Sequence, residues 1–297
     1  MDCRFETTLG ALDLGVVAQL TQLDKVVKQY DAVAAFGETT WQAILAGQAG
    51  VSHVLAWVGE RVVAYAQANR GLASGEAAVH PAWRNQTIGR TLISQLQQTA
   101  PALHWWAHGD LPAARAVAKA LSLVKVRQML KMGSCLSANL ARQSTPPPAG
   151  TIWRLFDPVV DRAAWLELNA VAFAGHREQG QLTGQDLDWR LAQDWYDPAG
   201  FFLAETTQPG QPNQLVGYHW TKVKNGVGEV YGIAVHPKAQ GQGLGTALLK
   251  LGLEFLARAG INQVELYVEA DNTPAIAAYQ RQGFMVAQRH VQYAKTS

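Results

Sequence analysis

Residues Ala78 to Ile93 read AVHPAWRNQTIGRTLI, and residues Ala234 to Leu249 read AVHPKAQGQGLGTALL. The same tetrapeptide leads into a loop and a helix-like segment twice, so the fold must house one supersecondary unit in two copies. The flanking segments repeat in the same order. In the C-terminal half, LVGYHWTKV (215–223) reads as a strand, Asn225-Gly226 as a tight turn and GEVYGIAVHP (228–237) as a second strand. A helix from Thr246 to Ala259 and the strand QVELYVEA (263–270) follow, then a helix start at Asp271-Asn272-Thr273-Pro274. A cap residue and a first-turn proline are what such a start requires. In the N-terminal half the series is RVVAYAQA (61–68), the turn NRGLASG (69–75), EAAVHP (76–81) and a helix through Leu92 to Gln98. The strand LHWWAHG (103–109) and a helix start at Asp110-Leu111-Pro112 complete it. Both halves end in a strand, near Val126–Met132 and Val286–Tyr293. Each half is therefore expected to be an α+β unit with a mixed, mostly antiparallel sheet flanked by helices. Between them NLARQSTPPPAG (139–150) reads as a semi-extended linker. The expected boundaries are 1–140, a linker at 141–150, and 151–297.

Bulk composition excludes several classes. A chain of 297 residues with 48% hydrophobic and 16% charged residues can fill two ordinary cores. A net charge of +2 offers no concentrated basic face, so nucleic acid is not an expected partner. Two cysteines, Cys3 and Cys135, form no CxxC pattern, which argues against a disulfide framework or a metal site. No run approaches the ~20 apolar residues of a membrane helix, and the N-terminus does not read as a signal peptide. The expectation is a soluble cytoplasmic protein, a monomer, without metal or membrane contact.

The chemistry is concentrated after the second AVHP. Gln240-Gly241-Gln242-Gly243-Leu244-Gly245 sets three glycines before a helix. Glycine permits positive φ, lets N–H groups converge, and the helix N-terminus adds positive potential, so the loop suits a pyrophosphate. No Gly-Lys-Ser/Thr follows, so it is not a Walker A loop, and it lacks the setting of a Rossmann fingerprint. Set between a strand ending in Val-x-Pro and a long helix, it resembles the coenzyme A loop of the GNAT superfamily of N-acetyltransferases. ADNTPAIAAYQRQGF (270–284) resembles that superfamily's second signature, an Asn, a helix, and a Tyr-x-x-x-Gly-Phe ending. Over nearly the whole chain, the tandem layout with NAVAFAGHREQG (169–180), WYDPAGFFLAE (195–205) and YHWTKV (218–223) is similar to the mycothiol synthase family.

The resemblance implies two tandem GNAT domains and acetyl-CoA as co-substrate. It also implies N-acetylation of the cysteinyl amine of 1-(L-cysteinylamido-glucosaminyl)-inositol, the last step of mycothiol formation. Glu229 becomes the expected general base, against the plainer reading of a solvated strand carboxylate. An α-amino group has a pKa near ~7.7–8.0, so modest help suffices. Tyr279 becomes the expected acid for the departing thiolate, because a phenol near pKa ~10 keeps its proton at neutral pH. Backbone N–H groups of Ile233, Ala234 and Val235 are expected on the acetyl carbonyl. Gln240, Gly241, Gln242, Gly243, Leu244, Gly245 and Thr246, with Pro274, Ala275, Ile276, Ala277 and Ala278, are expected to hold the cofactor. Glu38, Glu178, Lys222, Glu229 and Glu269 are carried over as acceptor contacts, with surface ion pairs as the alternative. That assignment expects the active cleft to lie between the domains. His236 reads as a structural turn residue.

The first copy departs from the motif. Its loop is Arg84-Asn85-Gln86-Thr87-Ile88-Gly89, with Thr87 in the place of Gly243. Threonine disfavours positive φ, so either the loop takes another shape or it binds phosphate less well. The helix 111–124 has Val117 or Ala118 where Tyr279 stands, so no phenol is expected there. Glu76 echoes Glu229 if the Gly-Glu pairs are aligned, but not if AVHP is aligned. The first half is expected to do no acetyl transfer and to bind acetyl-CoA weakly. That weaker site would use Ala78, Val79, His80, Gln86, Thr87, Ile88, Gly89, Arg90 and Thr91. The alternative enzyme reading is a GNAT acting on an aminoglycoside or polyamine, which wants a wall of acids that 23 in 297 residues do not supply. A third reading makes the chain a non-catalytic acyl-CoA-binding sensor, which Glu229 and Tyr279 oppose.

Overall fold

A computed structural model describes residues 3–176, 179–207 and 212–296. The chain divides into two units, Met1–Met129 with Gln288–Ser297, and Leu130–Ala287. In the first, β1 (Arg4–Leu9), α1 (Leu14–Asp31), α2 (Glu38–Leu45), β2 (Val51–Val58) and β3 (Arg61–Asn69) precede the first AVHP strand. That strand is β4 (Ser74–Val79), followed by α3 (Ile88–Thr99), β5 (His104–Ala107) and α4 (Pro112–Ala120). β6 (Leu123–Cys135) carries the chain across the division. The second unit adds β7 (Thr151–Leu155), α5 (Arg162–Ala172), α6 (Gly184–Leu191), β8 (Phe201–Thr206) and β9 (Gln214–Lys224). Then come β10 (Val227–Val235), α7 (Leu244–Arg258), β11 (Gln263–Glu269), α8 (Thr273–Arg281) and β12 (Met285–Lys295).

The sheets follow one plan. β1 to β4 are antiparallel, β4 pairs parallel with β5, and β5 pairs antiparallel with the last part of β12. β7 to β10 are antiparallel, and β10 pairs parallel with β11. The Asn225-Gly226 turn joins β9 to β10 with both residues at positive φ, 53° and 76°, the geometry a two-residue hairpin needs. Strand alternation then gives each sheet two cores. In the first unit Val63, Ala64 and Ala66 pack with Leu92 and Leu96 of α3, while Val62 and Tyr65 pack with Leu20, Leu23 and Val27 of α1. In the second, Trp165, Phe201, Tyr218 and Trp220 form one cluster, with Phe201 stacked on Trp220 at 4.3 Å. Leu249, Leu253 and Leu256 of α7 pack with Val230, Leu266 and Tyr279 in the other.

The proline-rich stretch lies within the second unit, and the divisions fall inside β6 and β12. Within that unit the stretch is tied to a buried carboxylate. Glu254 of α7 is 1% exposed, and burying it requires donors. Thr145 supplies two, its N–H at 3.0 Å and its hydroxyl at 2.5 Å. Trp153 Nε1 donates to the Thr145 carbonyl, and Arg258 to that of Gln143, both at 3.1 Å. Proline content reveals an extended backbone but not which buried group that backbone satisfies. Among the described residues no helix is long and apolar enough to cross a membrane.

Candidate active site

The site is built where two parallel strands part. β10 pairs with β11 at Gly228–Val264, Glu229–Glu265 and Val230–Leu266, and the pairing ends there although β10 runs on to Val235. A bulge against β9 falls at the same place, between Val230 and Gly232. Beyond it Ile233, Ala234 and Val235 border the opening. The His236 N–H bonds the Val216 carbonyl of β9, so by alternation the Ala234 N–H also turns to β9 and those of Ile233 and Val235 turn away from it.

His236 ends β10 and caps a short 3-10 turn, its Nδ1 accepting the Lys238 N–H at 3.2 Å. Gly241 and Gly243 then take φ of 77° and 81°, and Gly243 is the N-cap of α7. The first turn of a helix directs N–H groups out of its end, here from Leu244, Gly245 and Thr246. The Leu244 side chain is buried, so only its backbone faces the loop. Gln240 Nε2 donates to the Val235 carbonyl at 3.1 Å and ties the loop to the strand end. Gly245 needs no positive φ; a Cβ there would lie 3.6 Å from Val235 Cγ2, an ordinary contact.

Glu229 stands directly opposite Lys222 across β9 and β10, with Nζ 3.7 Å from Oε2. Lys222 is buried, and its ammonium lies 4.7 Å from the ring centroids of both Trp195 and Tyr231. A cation between two aromatic faces beside a carboxylate is held by charge and by the ring quadrupoles together. Arg190 Nε donates to the Tyr231 hydroxyl at 2.8 Å and fixes that ring.

α8 begins at Asn272, whose side chain accepts the Ala275 N–H at 3.2 Å, with proline in the first turn. Pro274 is exposed and Ala275 to Ala278 are half-buried along its first turns. Tyr279 follows, buried in the same cluster as Val230, the last β10 residue paired with β11. Gly283, at φ 84°, lets the chain fold back so that the Phe284 N–H donates to the Tyr279 carbonyl at 3.1 Å. Burial pushes the Tyr279 phenol up to about 12, so it is protonated throughout the neutral range. Glu269, at the end of β11, accepts from His176 Nε2 at 3.3 Å, while His176 Nδ1 accepts the Gln179 N–H at 2.9 Å. Glu178 lies outside the described residues. Glu38 belongs to the first unit, as the first residue of α2. Among the described residues no group of three His, Cys, Asp or Glu side chains is arranged to hold a metal ion.

The first copy repeats the loop closely. His80 Nδ1 accepts the Ala82 N–H at 3.2 Å, and Arg84 Nε donates to the Val79 carbonyl at 3.1 Å, as Gln240 does to Val235. Asn85 and Thr87 both take φ 62°, and Thr87 is the N-cap of α3. Of the two expected alternatives, a changed loop shape and weaker phosphate binding, the first does not occur, because the capped turn and the packed helix impose positive φ on a residue that disfavours it. Ala78, Val79, Thr87, Ile88, Gly89 and Arg90 line a cavity of ≈ 410 Å³, with Trp105, Trp106, His108 and Val117; His80, Gln86 and Thr91 do not. A phenol does reach this cavity, contrary to expectation. It is Tyr293, which arrives on β12 from the far end of the chain. Its hydroxyl donates to Asp110 at 2.7 Å, and burial first, then Asp110, push it up to about 12. The alignment of Glu76 is also decided. Glu76 stands opposite Gln67, three residues before Val79, and three residues before Val235 stands Gly232, opposite Trp220, so Glu76 keeps the AVHP alignment and does not match Glu229.

The Acetyltransferase (GNAT) family model matches residues 165–284, the span from α5 to the end of the Gly283-Phe284 turn. Mycothiol acetyltransferase from Streptomyces avermitilis is 41% identical over 298 residues, covering 98% of this chain and 95% of that protein. The chain belongs to the mycothiol acetyltransferase family. The Sanguibacter keddieii member is 40% identical and covers 93% of this chain and 92% of its own. Among solved structures, a tandem GNAT protein from the clavulanic acid biosynthesis pathway superposes with a TM-score of 0.74 at 20% identity, covering 98% of each chain. A GCN5-related N-acetyltransferase from Sphaerobacter thermophilus gives 0.70 at 23% identity, over 97% of this chain and 94% of that one. At such identities the two structures establish the fold alone: two tandem GNAT domains.

His176, Arg190, Trp195 and Tyr231 lie against the expected site residues Glu269 and Lys222 or brace those that do, and motif reading did not select them. Tyr231 carried a signal, since it lies two positions from Glu229 on a strand. Trp195 and Arg190 come from the segments around α6, whose approach to Lys222 has no sequence periodicity to announce it.

Proposed function

We propose that the second unit transfers the acetyl group of acetyl-CoA to the cysteinyl amine of 1-(L-cysteinylamido-glucosaminyl)-inositol, giving mycothiol. The chain is an acyltransferase by family, and acetyl-CoA is the co-substrate of GNAT acetyltransferases. The loop from Gln240 to Thr246 receives the pyrophosphate on N–H groups, and residues Pro274 to Ala278 flank the cofactor. The N–H groups of Ile233 and Val235, on either side of Ala234, hold the thioester carbonyl and the oxyanion that forms from it. Glu229 takes a proton from the substrate ammonium, directly or through water, and the free amine forms the C–N bond. The C–S bond then breaks; Glu229, having passed its first proton to solvent, takes the second amine proton, the thiolate takes the phenolic proton of Tyr279, and the phenolate regains a proton from solvent. Lys222 and Glu269, with Glu38 and Glu178, bind the polar acceptor. The cavity beside Thr87 holds a second acetyl-CoA more weakly.

The observation that carries this reading is the parting of β10 and β11 at Val230–Leu266, with Glu229 one residue before it and Tyr279 packed against the same cluster. Chromatography and mass spectrometry of the protein with acetyl-CoA and the cysteinyl pseudodisaccharide test it. The expected result is N-acetylated acceptor and free coenzyme A in equal amounts. Acetylation of aminoglycosides or polyamines, with this acceptor untouched, overturns it.

A further inference from the structure

The first unit buries a carboxylate that no step above uses. Glu76 is 5% exposed, and its two oxygens are divided between two elements. Oε2 accepts the Gly37 N–H at 2.9 Å, and Oε1 lies 3.0 Å from His108 Nε2. Thr40 hydrogen-bonds the same carboxylate. Behind it, His108 Nδ1 lies 3.2 Å from His290 Nδ1 of β12, with the two rings edge to face at 5.3 Å. Burial alone would raise the Glu76 pKa, but the His108 charge and the bonds from His108, Gly37 and Thr40 outweigh it and hold the group below the usual carboxylate range.

What this arrangement secures is the start of α2. Gly37 is the N-cap of that helix and has no side chain, and Glu76 accepts the Gly37 N–H itself, the bond that an acidic N3 residue makes in a capping box and that Thr40 at N3 leaves to another strand. A Cβ on Gly37 would come 3.0 Å from Glu76 Oε1, so glycine there admits the carboxylate. The next residue is Glu38, and Thr40 is buried in the same turn. A carboxylate that holds the N–H before Glu38 and a side chain after it fixes how Glu38 leaves the helix start.

We propose that Glu76, braced by His108 and His290, is a positioning residue for acceptor binding that acts through Glu38. This rests on the reading of Glu38 as an acceptor contact. Steady-state kinetics of Glu76→Ala, Glu76→Gln, Glu38→Gln and the Glu38→Gln/Glu76→Ala double variant test both. Loss of one helix-start acceptor is expected to raise the KM for the cysteinyl pseudodisaccharide about tenfold in Glu76→Ala, with kcat and the acetyl-CoA KM within about twofold. Glu76→Gln, whose amide oxygen can still accept from Gly37, recovers most of that loss. In the Glu38→Gln background the Ala change adds little. A raised acceptor KM in Glu38→Gln with none in Glu76→Ala overturns the positioning role and leaves the Glu38 contact standing. An unchanged KM in Glu38→Gln removes that contact, and the positioning role with it. Joint loss of kcat and both KM values, or full additivity in the double variant, reduces Glu76 to a structural group. Should Glu76→Ala fail to fold, His108→Gln keeps the cap without its brace: a rise of about twofold to threefold in the acceptor KM alone supports the role, and no rise contradicts it.

Discussion

Thr87 and Gly243 occupy the same place after AVHP and hold nearly the same backbone, φ 62° and ψ −6° against φ 81° and ψ −5°. Only one of them is a residue that favours it. The cores behind the loops differ more. In the first unit Ala66 and Leu96 stand where the second has His219 and Gly252, small facing large in each case. His219 is fully buried, and its Nδ1 donates to the Leu248 carbonyl at 2.7 Å. A Cβ on Gly252 would meet the His219 ring at 2.1 Å, so the glycine is the space the histidine fills. Two sequences thus keep one backbone by exchanging volume across the sheet–helix contact. Function separates at a different point. Glu76 and Glu229 lie on the same side of their respective sheets, away from the helix that follows the loop, but Glu76 is bound to Gly37 and His108 while Glu229 lies beside Lys222 at the opening.

The largest expected effect separates the two carboxylates. Glu229→Gln should lower kcat by roughly 10²–10³-fold with acetyl-CoA binding retained, as removal of a general base does; Glu76→Gln should leave kcat near wild type. Steady-state kinetics at saturating acetyl-CoA reads both.

The histidine that distinguishes the cores should give the second unit an acid sensitivity the first lacks at this position. Burial lowers the His219 pKa from 6.5 to about 4. Between those values the unfolded chain binds more protons than the folded one, so stability present above pH 6.5 is lost as pH falls toward 4, by at most on the order of 3 kcal/mol. Urea titrations across that window should show the second unit's unfolding midpoint falling with acid. A midpoint independent of pH there would mean that His219 is charged in the fold.

The loops can be exchanged. Gly243→Thr puts a β-branched residue at φ 81° and should cost about 1 kcal/mol of stability, with the acetyl-CoA KM raised about fivefold. The reverse change, Thr87→Gly, relieves strain and should stabilise the first unit by about 0.5–1 kcal/mol, read as a small rise in its melting temperature. A stabilising Gly243→Thr would show that the positive φ is not what glycine supplies.

Much of the repeated core was legible in advance. The hairpin through Asn225-Gly226, the α7 start at the glycine loop and the Asn272 cap all come from local chemistry, and each lies within a residue or two of its expected place. His236 caps its own turn as the sequence suggested, a local event, whereas His80, expected in the weaker cofactor site, caps its turn and does not line the cavity. Three things were not legible. Whether Glu76 matches Glu229 depends on a bulge in the other copy, which inserts a residue between Glu229 and the AVHP segment. Tyr293 lines the first unit's cavity only because the chain's last strand pairs with β5. The cage around Lys222 joins Trp195 to a strand pair, contacts that no periodicity encodes.

The central claim is that acetyl transfer belongs to the second copy of the repeat, although each copy has a phenol beside its loop and helix. Coenzyme A release by Tyr279→Phe and Tyr293→Phe, measured side by side with the cysteinyl pseudodisaccharide as acceptor, tests it most directly. Tyr279→Phe should lose about 100-fold or more in kcat, and Tyr293→Phe should remain within about twofold of wild type. Full turnover by Tyr279→Phe, or a matching loss in Tyr293→Phe, would contradict it.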